Sequence, residues 1–268
     1  DYYLNQNIDT LTLTLDVLKN GNILRTISSE KVHNFKSWPG GPPKPQTLPA
    51  KEGYNRFTWD FNRNALPGIE NVFVHGSHVG GSVAPGNYTL RLTLGKVTAE
   101  TEVTILKDPT VNATAAAYNE QQVMIDQIET AIREIHESVN SMRSAKTQLQ
   151  DYAKLLKDNE EANSLLKTGE VLIKKINAWE RQLIQPDQKT FQDVINFNNK
   201  LSSQLMHLKG YIEAVDPAIT AGAKERLSDL ISTWNVYQNE RDDLMNKDMT
   251  SFNAQFSELN LPAIIIKD

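Results

Sequence analysis

The sequence contains no cysteine in its 268 residues. Disulfide bonds and thiolate metal ligands are therefore excluded. The compartment stays open, because cytosolic proteins and exported bacterial proteins can both lack cysteine. Long apolar runs are missing too: none approaches the roughly 18 residues that a membrane-spanning helix needs, and the start shows no signal peptide. The first residue is Asp1 rather than methionine, so we expect the chain to be part of a longer protein.

An excess of positive charge is also missing, since the formal net charge is −5. A nucleic-acid partner would require a basic surface and is therefore not expected. The charge is distributed unevenly along the chain. Residues 1–110 hold 11 Lys or Arg against 10 Asp or Glu, a balance of +1, whereas residues 111–268 hold 17 against 23, a balance of −6. The two parts thus present different surfaces.

Motifs that carry chemistry are absent from the sequence. It has no glycine-rich phosphate loop followed by Lys-Ser/Thr and no dinucleotide-binding fingerprint. Gly80-Gly81-Ser82 lacks the helical pattern that follows a nucleophile elbow. A carboxylate-bridged di-iron bundle needs Glu three residues before His, but Arg133 precedes His136 and Gln204 precedes His207 at that spacing. We therefore predict no catalytic residues, no cofactor and no enzymatic activity for this segment.

What the first part does contain is strand periodicity, with apolar and polar residues alternating over residues 8–108. The alternating runs lie at residues 11–17, 23–27, 54–61, 88–94 and 97–105. Asn20-Gly21 suits a two-residue hairpin turn, and five prolines between residues 39 and 49 exclude a central strand there. These signals predict an antiparallel, immunoglobulin-like β-sandwich over residues 1–110.

Near residue 110 the period changes to that of a helix. Asp108-Pro109 ends the last strand and Thr114 is a predicted N-cap. A seam of apolar residues then recurs every three or four positions, at Ile125, Ile128, Ile132, Ile135, Val139, Met142, Ala145 and Leu149. Further breaks in the helical pattern lie at residues 157–161, 186–187 and 216–217. They divide the second part of the chain into four predicted helices, over residues 115–156, around 165–183, from Thr190 to 212, and over 218–259. An up-and-down four-helix bundle over residues 111–268 is expected.

Three residues are candidates for contact with a ligand or partner: Trp38, His75 and His78. Trp38 lies in the proline-rich loop, where it could stack on a sugar, anchor a protein interface or pack under its own loop. His75-Gly-Ser-His78 could bring two imidazoles together in a loop, and a metal would then need a further ligand. Trp59 is in phase with Phe57 and Phe61, which favours a place in the sandwich core.

Two motifs in this part are similar to a known family. They are G-x-N-R-F-x-W-D at Gly53, Asn55, Arg56, Phe57, Trp59 and Asp60, and A-P-G-x-Y-x-L-x-L at Ala84, Pro85, Gly86, Tyr88, Leu90 and Leu92. With Asp108-Pro109 and the switch to helices, they resemble the C-terminal region of bacterial sortilin-like proteins, exported chains built around a BNR-repeat β-propeller. Phe61-Asn62 stands where that family's pattern has Leu-Arg, so no role of that arginine carries over.

The resemblance implies an immunoglobulin-like sandwich followed by a helical segment, attached to a propeller that lies before Asp1. The propeller would hold any ligand-binding or hydrolase-like function, and this chain would be a non-catalytic appendage of an exported bacterial protein. Its expected partner is a protein, either its own propeller or another chain. A carbohydrate-binding accessory domain is the alternative, motivated by Trp38 and Trp59.

Overall fold

The computed structural model describes residues 1–8, 10–214 and 217–260, and shows an α+β protein. The class predicted from the change of period is thus confirmed. The strands of the described residues are β1 (Tyr2–Leu4), β2 (Leu13–Lys19), β3 (Asn22–Ser28), β4 (Gly53–Asn55), β5 (Gly86–Leu94) and β6 (Val97–Ile105). They form two antiparallel sheets, one of β1 with β4 and one in the order β3-β2-β5-β6.

Two hairpins build the larger sheet. Asn20 and Gly21 both have positive φ, 52° and 79°, which is what the turn between β2 and β3 requires. Gly95, at φ 58°, begins the turn between β5 and β6. The hairpin predicted at Asn20-Gly21 is therefore confirmed. β2 and β5 then pair in the centre of the sheet, with Leu15 opposite Leu92.

The helices of the described residues are α1 (Ala115–Leu155), α2 (Asn163–Leu183), α3 (Leu201–Glu213), α4 (Ala221–Asp243) and α5 (Thr250–Glu258). Thr114 caps α1 as predicted, since its side chain accepts a hydrogen bond from the Ala117 amide at 3.2 Å. The predicted seam of α1 is buried at every position except Ala145, which is half-buried. A π-helical turn over Leu244–Met249 joins α4 to α5.

Two predicted elements differ from the structure. The strand expected over residues 54–61 is wrong beyond Asn55, where β4 ends. Phe61 has a φ of 59°, which a regular strand does not allow. The helix expected from Thr190 onward is wrong in its first part: Phe191–Ile195 is a single 3₁₀ turn, and α3 begins at Leu201. Ile195 is 80% exposed, so apolar burial does not stabilise a longer helix there. The predicted break at Asp216 lies outside the described residues.

The connection between β4 and β5, residues 56–85, joins the strands to the helices. Leu66, Ile69, Val72 and Val74 are buried in one apolar cluster with α1 to α5. A separate cluster lies among the strands and includes Leu13 and Tyr88. The short apolar run Val72-Phe73-Val74 is therefore not a strand; its valines anchor the connection on the helices.

Candidate functional site

Trp38 is half-buried and packs under its own loop. Its indole N–H donates to the Val72 carbonyl at 2.9 Å. The ring fills the space beside Gly41 and Gly68, where a Cβ atom would approach it to 2.5 and 2.7 Å. The ring thus fixes the proline-rich loop to the connection, and one face remains available in a groove shared with Arg143 of α1.

The His78 ring does not contact the His75 ring, because the two side chains pack against different parts of the fold. His78 is buried, and its ring nitrogens lie 3.1 Å from the carbonyl oxygens of Pro67 and Gly40. Its ring lies 5.5 Å from that of His136. Burial lowers the pKa of His78. The neutral ring donates its single N–H to one of these two carbonyls, which belong to the connection (Pro67) and to the proline-rich loop (Gly40).

His75 instead meets His207, a partner that spacing in the sequence does not indicate. The Nδ1 atom of His75 lies 2.6 Å from Nε2 of His207 on α3. The Asn199 side-chain amide lies 3.4 Å from the same Nδ1 atom, and the Phe191 ring packs 4.9 Å from the His75 ring. Burial, and then repulsion from His207, lowers the pKa of His75.

Sequence inspection missed a buried charge cluster where the connection meets the helices. Lys209 is 3% exposed and its ammonium donates to the Val79 carbonyl and to Glu213, both at 2.9 Å. Glu129 is buried 3.9 Å from Lys209 and 4.0 Å from Arg63. Arg63 also pairs with Asp126. Each buried charge thus has a partner of opposite sign, as burial requires.

The same cluster explains Gly80-Gly81-Ser82. The backbone amide of Gly81 donates to Glu129 at 2.6 Å, and that of Ser82 donates to Glu213 at 2.9 Å. Two adjacent amides could have bound a developing oxyanion, but they hold the protein's own carboxylates. Burial raises the pKa of Glu129 in spite of these contacts. The cluster therefore attaches the strands to the helices and offers these amides to no substrate.

The larger sheet has one polar and one apolar face. On the polar face, Arg91 donates to Glu100 at 2.6 Å and Thr89 donates to Glu102 at 2.7 Å. The apolar face carries the alternate residues of the central and edge strands, namely Leu13, Leu15, Val17, Tyr88, Leu90, Leu92, Leu94, Ala99, Val103 and Ile105. This alternation is typical of a sheet that packs against a second layer.

The second layer covers only part of the apolar face. Strands β1 and β4 have three residues each, whereas β5 and β6 have nine each. A groove of about 880 Å³ remains over the uncovered part, lined by Leu90, Leu92 and Val103 and flanked by Trp59 and Phe61. The Trp59 and Phe61 rings meet edge-to-face at 5.2 Å. We call this groove the open apolar face.

Strand β6 forms one rim of the open apolar face. It pairs with β5 along all nine residues, and within the described residues no strand pairs with its outer edge. Residues from Val97 to Glu102 are exposed. An edge of this length presents free backbone donors and acceptors to another chain. The sequence periodicity predicted β6 and its apolar side. It did not predict how little of the sheet the second layer covers, because that depends on where β4 ends.

The described residues contain no group of three or more His, Asp or Glu arranged to bind a metal ion. None of the helices described has both the length and the apolar character of a membrane span.

Comparison with models of known families, with curated proteins and with solved structures found no match for this chain. The resemblance to bacterial sortilin-like proteins therefore stays a prediction, based on the motifs around Trp59 and Tyr88.

Proposed function

We propose that this chain is a non-catalytic interaction module that binds a protein partner through the open apolar face. The strands would be an immunoglobulin-like sandwich with an incomplete second layer, and the helices an up-and-down bundle that supports it. Following the resemblance, the partner is the β-propeller of the same exported bacterial protein.

The observation that carries this proposal is the mismatch between the apolar face and its cover. Leu92 and Leu90 are half-buried next to Ala99 and Thr101, which are exposed. Burying such a patch would stabilise a complex by roughly 25 cal/mol per Å² of apolar area. The β6 edge lies along the same groove. A partner segment in extended conformation could therefore pair its backbone with β6 and at the same time place its side chains in the groove.

Buried ionisable side chains at the junction between strands and helices are already paired within the protein, which supports a binding role rather than a catalytic one. The buried charges of Glu129 and Lys209 are paired with each other and with backbone groups. Buried His136 is likewise hydrogen-bonded at both ring nitrogens. These groups stabilise the junction between strands and helices, which would hold the sheet at a fixed position relative to α1.

The test compares two threonines on opposite faces of β6. Thr101 lies opposite Leu90 on the apolar side, and Thr98 lies opposite Thr93 on the polar side. Binding of the 268-residue chain to a separately expressed propeller region of the same protein is measured by calorimetry. Thr101→Lys should weaken binding at least about tenfold, because it places a charge on the apolar surface. Thr98→Lys should leave it unchanged.

Hydrogen exchange provides the second readout. Amides of the outer β6 edge should exchange slowly in the complex and quickly in the free chain. Equal binding by both lysine variants, together with equal exchange of β6 in both states, would contradict the proposed surface. The circular dichroism of both variants should match that of the unmodified chain, since both sites are exposed.

Carbohydrate binding is a second candidate, favoured by the aromatic pair beside the groove. Phe61 is 51% exposed next to Trp59, and the Arg56 and Asp1 side chains hydrogen-bond at 2.7 Å nearby. Aromatic rings with flanking polar groups are suited to a sugar. A polysaccharide pull-down distinguishes the candidates: retention that Phe61→Ala abolishes and Thr101→Lys spares would favour the sugar.

A further inference from the structure

His75, His207 and Asn199 form a cluster of nitrogen and oxygen donors that the interaction module does not use. Two imidazole nitrogens face each other at 2.6 Å, which requires a shared proton: one ring donates its N–H and the other accepts. Asn199 adds a side-chain amide 3.4 Å from the His75 nitrogen. The three residues come from the connection, from α3 and from the segment just before α3.

Asn199 carries a second observation that points to a ligand. Its side-chain oxygen is buried and has no hydrogen-bond partner. An unsatisfied buried acceptor destabilises the folded chain. The amide nitrogen of Asn199 faces His75, and the oxygen points away from it. Rotation of the amide by half a turn would aim the oxygen at a cation between the rings and would place the NH2 group in the buried position.

The surrounding structure holds His75 in place. Gly76, at φ 146°, lies so close to Met206 of α3 that a Cβ atom would overlap that side chain. The Phe191 ring also packs against His75. His207 is exposed, so its ring can move by the roughly 0.7 Å that metal binding between the two nitrogens requires.

We propose that His75 Nδ1, His207 Nε2 and the Asn199 side-chain oxygen bind one divalent transition-metal ion of the imidazole-preferring class, Zn²⁺ above all. Neutral imidazole is a good ligand for Zn²⁺, Ni²⁺ and Cu²⁺. Zn–N bonds of about 2.0–2.1 Å in tetrahedral geometry separate the two nitrogens by about 3.3 Å. The rings therefore part by well under 1 Å, and water supplies the fourth ligand.

The proton balance of binding is simple. The metal replaces the proton shared between the rings, and that proton moves to the distal nitrogen of the same imidazole. Both rings stay neutral, so binding needs no net release of a proton at neutral pH. The lowered pKa of His75 keeps its ring in the neutral, metal-binding form.

The experiment uses Zn²⁺ alone with the untagged 268-residue chain, measured by calorimetry and thermal unfolding. We expect one ion per chain and a higher unfolding temperature with metal. His75→Ala and His207→Ala should each weaken binding at least about tenfold, and Asn199→Ala by a smaller factor. His33→Ala is the matched control, since His33 is an exposed loop histidine, and should change nothing.

Cobalt replaces zinc as a spectroscopic probe. Co²⁺ bound by two imidazoles and an amide oxygen should give visible absorption bands that His207→Ala removes. Equal Zn²⁺ affinity in the His75→Ala/His207→Ala double variant, or no saturable binding by the unmodified chain, would overturn the proposal. Circular dichroism of His207→Ala tests folding separately, and the exposed site predicts no change.

Discussion

The helical region of this chain has a more extensively buried apolar core than the β region. The helices share one buried apolar cluster that runs from Met124 at one end of α1 to Leu149 near the other and includes Trp179 and Trp234. Within the part of the chain that the structure describes, the cluster among the strands has seven buried members, Leu4, Leu13, Val17, Ile27, Leu48, Val83 and Tyr88. Most other apolar residues around the strand cluster are only partly buried.

The difference shows how the two regions depend on each other. A small core stabilises a domain only marginally, and the strands gain additional support from the connection, whose Leu66 and Ile69 are buried among the helices. The ion cluster of Glu129, Lys209 and Arg63 adds polar contacts at the same junction. The helical region thus supports a sheet whose apolar face is only partly covered.

The largest expected effect comes from breaking the helical core. Ile132 is fully buried in the α1 seam, so Ile132→Asp should unfold the helical region, because an unpaired buried charge costs several kcal/mol. Thermal unfolding followed by far-UV circular dichroism should lose its cooperative helical transition. Thr130→Asp, at an exposed position of the same helix, should keep it. A normal transition in Ile132→Asp would mean that the helices do not depend on this seam.

That seam is also where sequence reasoning succeeds most fully. A buried stripe on a long helix repeats every three or four residues, so Ile125 to Leu149 could be assigned without any long-range contact. Thr114 and Asn20-Gly21 are equally local, because a cap and a turn depend on a few neighbouring residues.

Contacts between distant residues could not be predicted in the same way. His75 and His78 are close in sequence, which would allow their rings to meet in one loop, but the fold places His75 against His207, 132 residues away. Lys209 and Glu129 resemble exposed helical charges in the sequence, and their burial depends on the docking of the connection. The apolar pattern predicted from Thr190 onward begins at Phe191, which the structure leaves 63% exposed.

Acidification should reduce the stability of the folded chain by an intermediate amount, because His136 at the junction between strands and helices is protonated more readily in the unfolded chain. His136 donates from Nδ1 to the Pro67 carbonyl and accepts at Nε2 from the Ser202 hydroxyl, both at 2.6 Å. Burial lowers its pKa from 6.5 to about 4, with a further contribution from His78. Above pH 6.5 the ring is neutral in both folded and unfolded chains. As pH falls from 6.5 to 4 only the unfolded chain gains the proton, so stability falls by about 3 kcal/mol.

Denaturant unfolding between pH 7 and pH 4 measures this loss, and His136→Asn isolates it. Asparagine can keep the donor to Pro67 but does not titrate. The variant should therefore lose less stability than the unmodified chain over this pH range, although carboxylates and His78 contribute to both curves. Identical pH dependence in the two proteins would show that His136 does not carry the effect.

The smallest expected effect on stability is that of truncating a leucine in the open apolar face, and comparison with a core leucine shows whether this face is free. Leu13 and Leu92 lie on the same face of the larger sheet, but Leu13 is 1% exposed, whereas Leu92 is half-buried in the open apolar face. Leu13→Ala should cost about 2–5 kcal/mol of unfolding free energy, and Leu92→Ala about 1 kcal/mol or less. Equal costs in denaturant unfolding would mean that the face is closed. A low cost for Leu92→Ala combined with weaker partner binding would identify a surface whose apolar character serves association rather than folding.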